Sequence, residues 1–202
     1  MLEIIFYILS GLFMKISDDA HDRENNALLG VSAAIICGFS IGYLAVTSAD
    51  AACIFLAILI GTIAAWKVDC LNHILSLLIF VGIIIILGFP AIGLVTLFVC
   101  AIAAFLDEIG NDSDWAARRK YLHNFFQYRF ALKIAIFIFT ILGLIQTTIQ
   151  IPGIQIFSPL TLICFLLFEV SYELAGLKFD AIYNGLKSLL GIFRSVDGST
   201  ND

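Results

Sequence analysis

The sequence predicts an all-α fold: a polytopic bundle of membrane-spanning helices. Three observations carry this. Hydrophobic residues make up 61% of the 202-residue chain and charged residues only 13%, where soluble domains carry about 25% charged. The mean hydropathy is +1.02. Long apolar runs alternate with short charged stretches along the whole chain.

Against the roughly 20 residues that span a bilayer, seven segments can be counted: about 2–14, 27–46, 51–66, 74–88, 91–106, 130–148 and 159–177. The first is short, and the count falls to six if it only partly inserts. Residues 178–194 are too charged to span. Their apolar residues Phe179, Ile182, Tyr183, Leu186, Leu189, Leu190 and Phe193 recur at three- and four-residue steps. That spacing predicts an amphipathic helix on the membrane interface, followed by a polar, disordered 196–202. The chain thus divides into a helical domain over 1–177 and an interfacial tail over 178–202.

The loops sort by charge. All eleven Lys and Arg fall in or beside 15–26, 67–73, 107–128 and the tail. The intervening turns have none. The positive-inside rule makes the charged side cytoplasmic in a multi-pass cell-membrane protein, with the N-terminus outside and the C-terminus inside. No basic patch with interleaved aromatics is present, which argues against nucleic acid. The five cysteines show no CxxC or Cys/His spacing, so neither disulfides nor zinc are expected.

The charged side carries two acidic clusters. Asp18, Asp19, Asp22 and Glu24 crowd into seven residues. They repel each other unless something positive sits among them: a divalent metal, a cationic substrate, or the nearby Lys15 and Arg23. The alternative is a hydrated acidic loop at the membrane boundary. Oxygen-only ligands of this kind suit Mg²⁺. The second cluster runs Asp107-Glu108-Ile109-Gly110-Asn111-Asp112-Ser113-Asp114, followed by Arg118, Arg119 and Lys120. These cations are phosphate partners or positive-inside anchors. Between the clusters lies 66–73, with Lys67, Asp69 and His73. Opposed carboxylates holding Mg²⁺ can clamp a diphosphate, and an apolar cavity can house a lipid tail. His21, His73 and His123 share no helical spacing and read as solvated or loop-capping. Glu169 and Glu173 lie i, i+4 on one face with Tyr172 beside them. They position a polar acceptor, relay protons, or pair with Lys133.

This arrangement resembles the UbiA superfamily of intramembrane prenyltransferases over roughly 6–177. Asp18-Asp19-Ala20-His21-Asp22 with Asn26 resembles the first Asp-rich motif, and Asp107-Glu108-Ile109-Gly110-Asn111-Asp112 partly resembles the second. Four segments separate them. Trp66-Lys67 stands nearest the family's Tyr-x-x-x-Lys element. The chain is shorter than usual for the family, and its motifs are degenerate.

The resemblance implies Mg²⁺-dependent transfer of a prenyl group from its diphosphate to an acceptor. Asp18, Asp19 and Asp22 would hold one metal, and Asp107 and Asp112, with Glu108, the other. Lys67, Arg118 or Arg119 would bind the diphosphate, with Asn26, Asn111, Glu169 and Glu173 completing the substrate site. The alternatives are another Mg²⁺-dependent lipid enzyme, a small transporter acting through Glu169, Glu173 and Asp50, or a non-catalytic membrane protein.

Overall fold

The computed structural model describes residues 1–68, 70–145 and 151–197, with side chains through residue 188. Among them every regular element is helical: α1 Leu2–Asp22, α2 Ala27–Thr47, α3 Ala49–Ala64, α4 Leu71–Leu87, α5 Leu94–Asp112, α6 Asp114–Ala117, α7 Lys120–Gln127, α8 Phe130–Ile145 and α9 Pro159–Asp197. Asp69, the last residues of the sixth expected segment, the side chains of Leu189, Leu190 and Phe193, and the tail beyond 197 lie outside the described residues.

Local chemistry sets the boundaries. Asn25, at φ +47°, turns the chain after α1, a conformation Asn tolerates better than most residues. Asn26 then caps α2, its side chain accepting from the Leu29 N–H at 3.1 Å. Ser48 alone separates α2 from α3 and caps α3 through the Ala51 N–H. Both are ordinary N-cap residues.

Helices α2, α5 and α9 through Ser188 are long and apolar enough to cross a membrane, and α7 with α8 makes a fourth if that pair, bent by 62°, is one span. This is fewer than the seven spans counted from the sequence. Helices α3 and α4 are apolar but have 16 and 17 residues, about 24–26 Å of helix against a hydrocarbon core of about 30 Å. Helix α1 is 21 residues long, but its last two turns carry Lys15, Asp18, Asp19 and Asp22. Large apolar side chains such as Phe39, Ile86, Phe98 and Phe137 face outward, as lipid-facing positions do.

Two further boundaries differ from the sequence expectation. The first helix does not end at 14: α1 continues through Asp22 and carries Asp18, Asp19 and Asp22, with Glu24 in the turn that follows. Nor does the chain break at 177, because α9 runs unbroken to Asp197. Phe179 is fully buried against Ile16, Ala20 and Ala33, and Arg23 meets Asp180 at 2.7 Å. Those contacts carry the helix past the charged residues that suggested an end.

Helix α1 packs between α2 and α9, α2 against α4, α3 against α5, and α5 against α8. Close approach depends on small residues. A Cβ on Gly11 would lie 2.2 Å from the Phe168 carbonyl oxygen of α9. The core is aromatic at its centre, where Phe55 stands edge-on to Phe168 at 5.6 Å beside the fully buried Tyr7. At the end away from the charged loops, Asp50 accepts from Gln155 Nε2, the Ser158 N–H and Thr161 Oγ1, all within 2.9 Å. That triple bond set ties α3 to the start of α9 and gives Asp50 a structural place.

Candidate functional site

A cavity of about 410 Å³ opens at the charged end of the bundle and runs inward between α1, α2, α3 and α4. Its inner wall is apolar, formed by Ala34, Cys37 and Ile41 of α2, Ile58 and Leu59 of α3, and Phe80 of α4. Its mouth is polar and draws on both acidic clusters: Asp18 and Asp22 from α1, and Glu108 from α5. Lys67, His73, Arg129 and Tyr172 complete it.

The mouth is held by a chain of bonds between helices. Asp18 Oδ1 lies 2.8 Å from His73 Nε2, and Asp18 Oδ2 accepts from the Tyr172 hydroxyl at 3.2 Å. His73 Nδ1 faces the Lys67 carbonyl at 3.1 Å, so both ring nitrogens meet acceptors. The start of α4 is pinned to α1 by the buried Asn72, whose Nδ2 donates to the Ser17 carbonyl at 3.2 Å. The Tyr172 ring sits near two cations, Lys15 Nζ at 5.3 Å and the Arg129 guanidinium at 5.0 Å from its centroid, a favourable arrangement for an electron-rich ring face. Arg129 occupies a left-handed turn at φ +50° between α7 and α8. Its Nη2 is 3.6 Å from Glu108. Its Nη1 is buried and has no hydrogen-bond partner among the described residues.

The two clusters therefore converge, but not through all the residues expected. Asp19 is buried and turned from the cavity, paired with Lys15 at 3.0 Å and Arg23 at 3.5 Å. The positive partners of the first cluster are thus, for this residue, the two neighbouring cations. Asp107 is 1% exposed, and its two oxygens accept from the Ala131 and Leu132 N–H groups at 3.0 and 2.8 Å. It satisfies the first turn of α8, where free N–H groups need acceptors. Asp112 pairs with Lys67, and Asn111 is exposed outside the cavity lining. Asn26 is a helix cap. Arg118 and Arg119 are exposed and do not line the cavity. Glu169 is buried and bonds Lys133 at 2.9 Å, the structural alternative for that residue. Glu173 is also outside the lining.

The sequence assigns Arg129 no role, places Tyr172 only beside Glu169 and Glu173, and reads His73 as solvated or loop-capping. The available signals were small: an Arg immediately before an apolar segment, and a Tyr three residues after Glu169.

Among the described residues no group of three or more His, Cys, Asp or Glu is placed to hold a metal by itself. Asp22 and Glu108 at one mouth suit an ion that arrives with substrate phosphate, since Mg²⁺ commonly takes one or two carboxylates and fills its shell with phosphate and water. No protein-family model, curated protein or solved structure matches the chain.

Proposed function

We propose that the protein binds an amphiphile with a phosphorylated head, best matched by a prenyl diphosphate, and transfers the prenyl group to an acceptor. The carrying observation is Arg129: a guanidinium at the mouth of an apolar cavity, with a buried Nη1 that lacks a partner among the described residues. A buried donor left unbonded costs about 1–3 kcal/mol, and a phosphate oxygen placed against it relieves that cost. The polar mouth takes the head and the wall of α2, α3 and α4 takes the tail, as amphiphile sites are built. Cavities of about 300–1,000 Å³ are the usual size for small ligands, and this one falls within that range.

In the reaction proposed, the bond between the allylic carbon and the diphosphate oxygen breaks, and both electrons leave with the diphosphate. The allylic carbon then bonds a nucleophilic atom of the acceptor, whose proton passes to the departing diphosphate. Arg129 and Lys67 balance the charge gathering on the leaving group. Asp22 and Glu108 would hold Mg²⁺, which would supply further charge neutralisation when bound. The apolar wall excludes water from the carbocation. The degenerate Asp-rich motifs support the same reading through their resemblance to intramembrane prenyltransferases.

An ion-coupled carrier is the second reading. It draws on Glu169, whose Oε1 is buried without a partner among the described residues. Glu169 lies outside the cavity lining, so the amphiphile reading is preferred.

Cys70 offers a direct test. It lines the mouth and is partly exposed, while Cys37, Cys53, Cys100 and Cys164 are buried. A maleimide is expected to label Cys70 alone. A non-hydrolysable prenyl thiodiphosphate should slow that labelling at least about ten-fold in the presence of Mg²⁺, as binding that leaves less than a tenth of sites free would. Inorganic diphosphate should protect less, since it lacks the buried tail. Labelling at an unchanged rate would reject the proposal.

A further inference from the structure

The basic run after the second acidic cluster has no part in the cavity. Arg118, Arg119 and Lys120 are all exposed, and none joins an ion pair among the described residues. They follow α6 and open α7, which meets α8 at 62° and so turns across the end of the bundle instead of continuing along it. The shelf is fastened from beneath. Phe126 fills the space over Gly110 of α5, where a Cβ would come within 2.3 Å of its ring. Trp115 stands edge-on to Phe126 at 5.8 Å, and Ala116 is fully buried.

What faces outward on this shelf is aromatic and cationic, a small basic and aromatic patch that corrects the sequence expectation of none. Tyr121 is 91% exposed and Trp115 55%, either side of the three cations. The acids nearby do little to cancel them. Asp112 is already paired with Lys67 and Glu108 with Arg129, leaving Asp114 as the acid beside the run. Exposed Trp and Tyr with Lys and Arg, at the end of membrane-crossing helices, form the combination that settles at the headgroup level.

We propose that the α6–α7 shelf is a binding surface for the headgroups of anionic lipids, separate from the cavity and independent of what the cavity takes. The three cations meet the lipid phosphates, and Trp115 and Tyr121 seat their rings among the headgroups. A lipid surface is favoured over a soluble anion because the cations are arrayed along an exposed shelf flanked by aromatics, with no enclosed pocket around them.

Trp115 reports on its own surroundings. The chain has two tryptophans, so Trp66→Phe leaves Trp115 as the single emitter. The full-length variant is placed in phosphatidylcholine nanodiscs carrying a trace of dansyl-labelled phosphatidylglycerol or dansyl-labelled phosphatidylcholine. Each cation near an anionic surface contributes about 1 kcal/mol, or about five-fold in local lipid concentration. Energy transfer from Trp115 should therefore favour the phosphatidylglycerol probe several-fold at equal loading.

The preference should shrink between 0.1 M and 1 M salt, as the screening length falls from about 10 Å to about 3 Å. It should disappear in Arg118→Gln/Arg119→Gln/Lys120→Gln. Equal transfer to the two probes at low salt overturns the proposal, as does a preference that survives the triple substitution in a folded variant. Loss of the preference on adding millimolar inorganic phosphate at constant ionic strength also overturns it, marking a free-anion site. If the triple variant does not fold, the probe and salt arms on the unsubstituted shelf still decide.

Discussion

Replacing Arg129 with glycine is expected to weaken binding of a prenyl diphosphate analogue by about 10- to 100-fold while leaving the fold in place. The magnitude follows from hydrogen bonds to charged groups, worth about 1.5–3 kcal/mol each. Glycine is the informative replacement because Arg129 holds φ +50°, a region that costs a side-chain-bearing residue about 1–2 kcal/mol and glycine almost nothing. The guanidinium is removed while the turn between α7 and α8 keeps its geometry. Lysine in the same place should recover only part of the affinity, since a point charge lacks the planar fork that meets two phosphate oxygens. Titration of the analogue against wild type, Arg129→Gly and Arg129→Lys checks this. Equal affinities across the three would remove Arg129 from the site.

Asp107→Ala is expected to cost stability, with little direct effect at the cavity mouth. The carboxylate accepts two backbone N–H groups of α8, and alanine leaves both without a partner. Losing a cap costs about 0.5–2 kcal/mol and stranding a buried donor about 1–3 kcal/mol; both describe the same loss, so about 1–3 kcal/mol is expected. Asparagine keeps an acceptor oxygen and should lose roughly half as much. Thermal unfolding in detergent orders the variants as wild type, Asp107→Asn, Asp107→Ala. A fully stable Asp107→Ala that no longer binds the analogue with Mg²⁺ would instead make Asp107 a metal ligand, as the motif resemblance implies.

The contrast between Asp107 and its neighbour shows where the sequence stops being informative. Consecutive residues on a helix point about 100° apart, so Asp107 turns to the start of α8 while Glu108 faces the cavity. Both read as equal members of one acidic cluster, because nothing in the chain says where α8 will dock. The apolar runs placed most helix centres well. The second segment, expected at 27–46, is α2 at Ala27–Thr47, and the last begins at Pro159 as the sequence suggested.

The misplaced ends share one cause. Helix α1 runs through Asp18 and Asp19 because His73, Tyr172, Lys15 and Arg23 meet those carboxylates. Helix α9 runs past Lys178 because Phe179 is buried and Asp180 meets Arg23. Apart from the Lys15 and Arg23 pairs with Asp19, these partners are distant in the chain. Charge near a segment end therefore reads as a boundary in the sequence where the structure makes it an inter-helix contact. Arg129 was hidden the same way. Its unusual backbone and its place over Tyr172 belong to the tertiary structure, and in the sequence it is one more cation beside an apolar run.

In the proposed complex the apolar wall takes the tail of an amphiphile whose phosphorylated head sits at the polar mouth. A prenyl diphosphate analogue with a diazirine at the end of its tail locates the tail. After photolysis in the membrane-reconstituted protein, peptides carrying the label are mapped by mass spectrometry, with and without excess unlabelled analogue. Label is expected on Ala34, Cys37 or Ile41 of α2 and near Phe80 of α4, removed by the competitor. Label confined to outward-facing residues such as Phe98 and Phe137, unchanged by competitor, would show simple partition into lipid and rule out a tail site in the cavity.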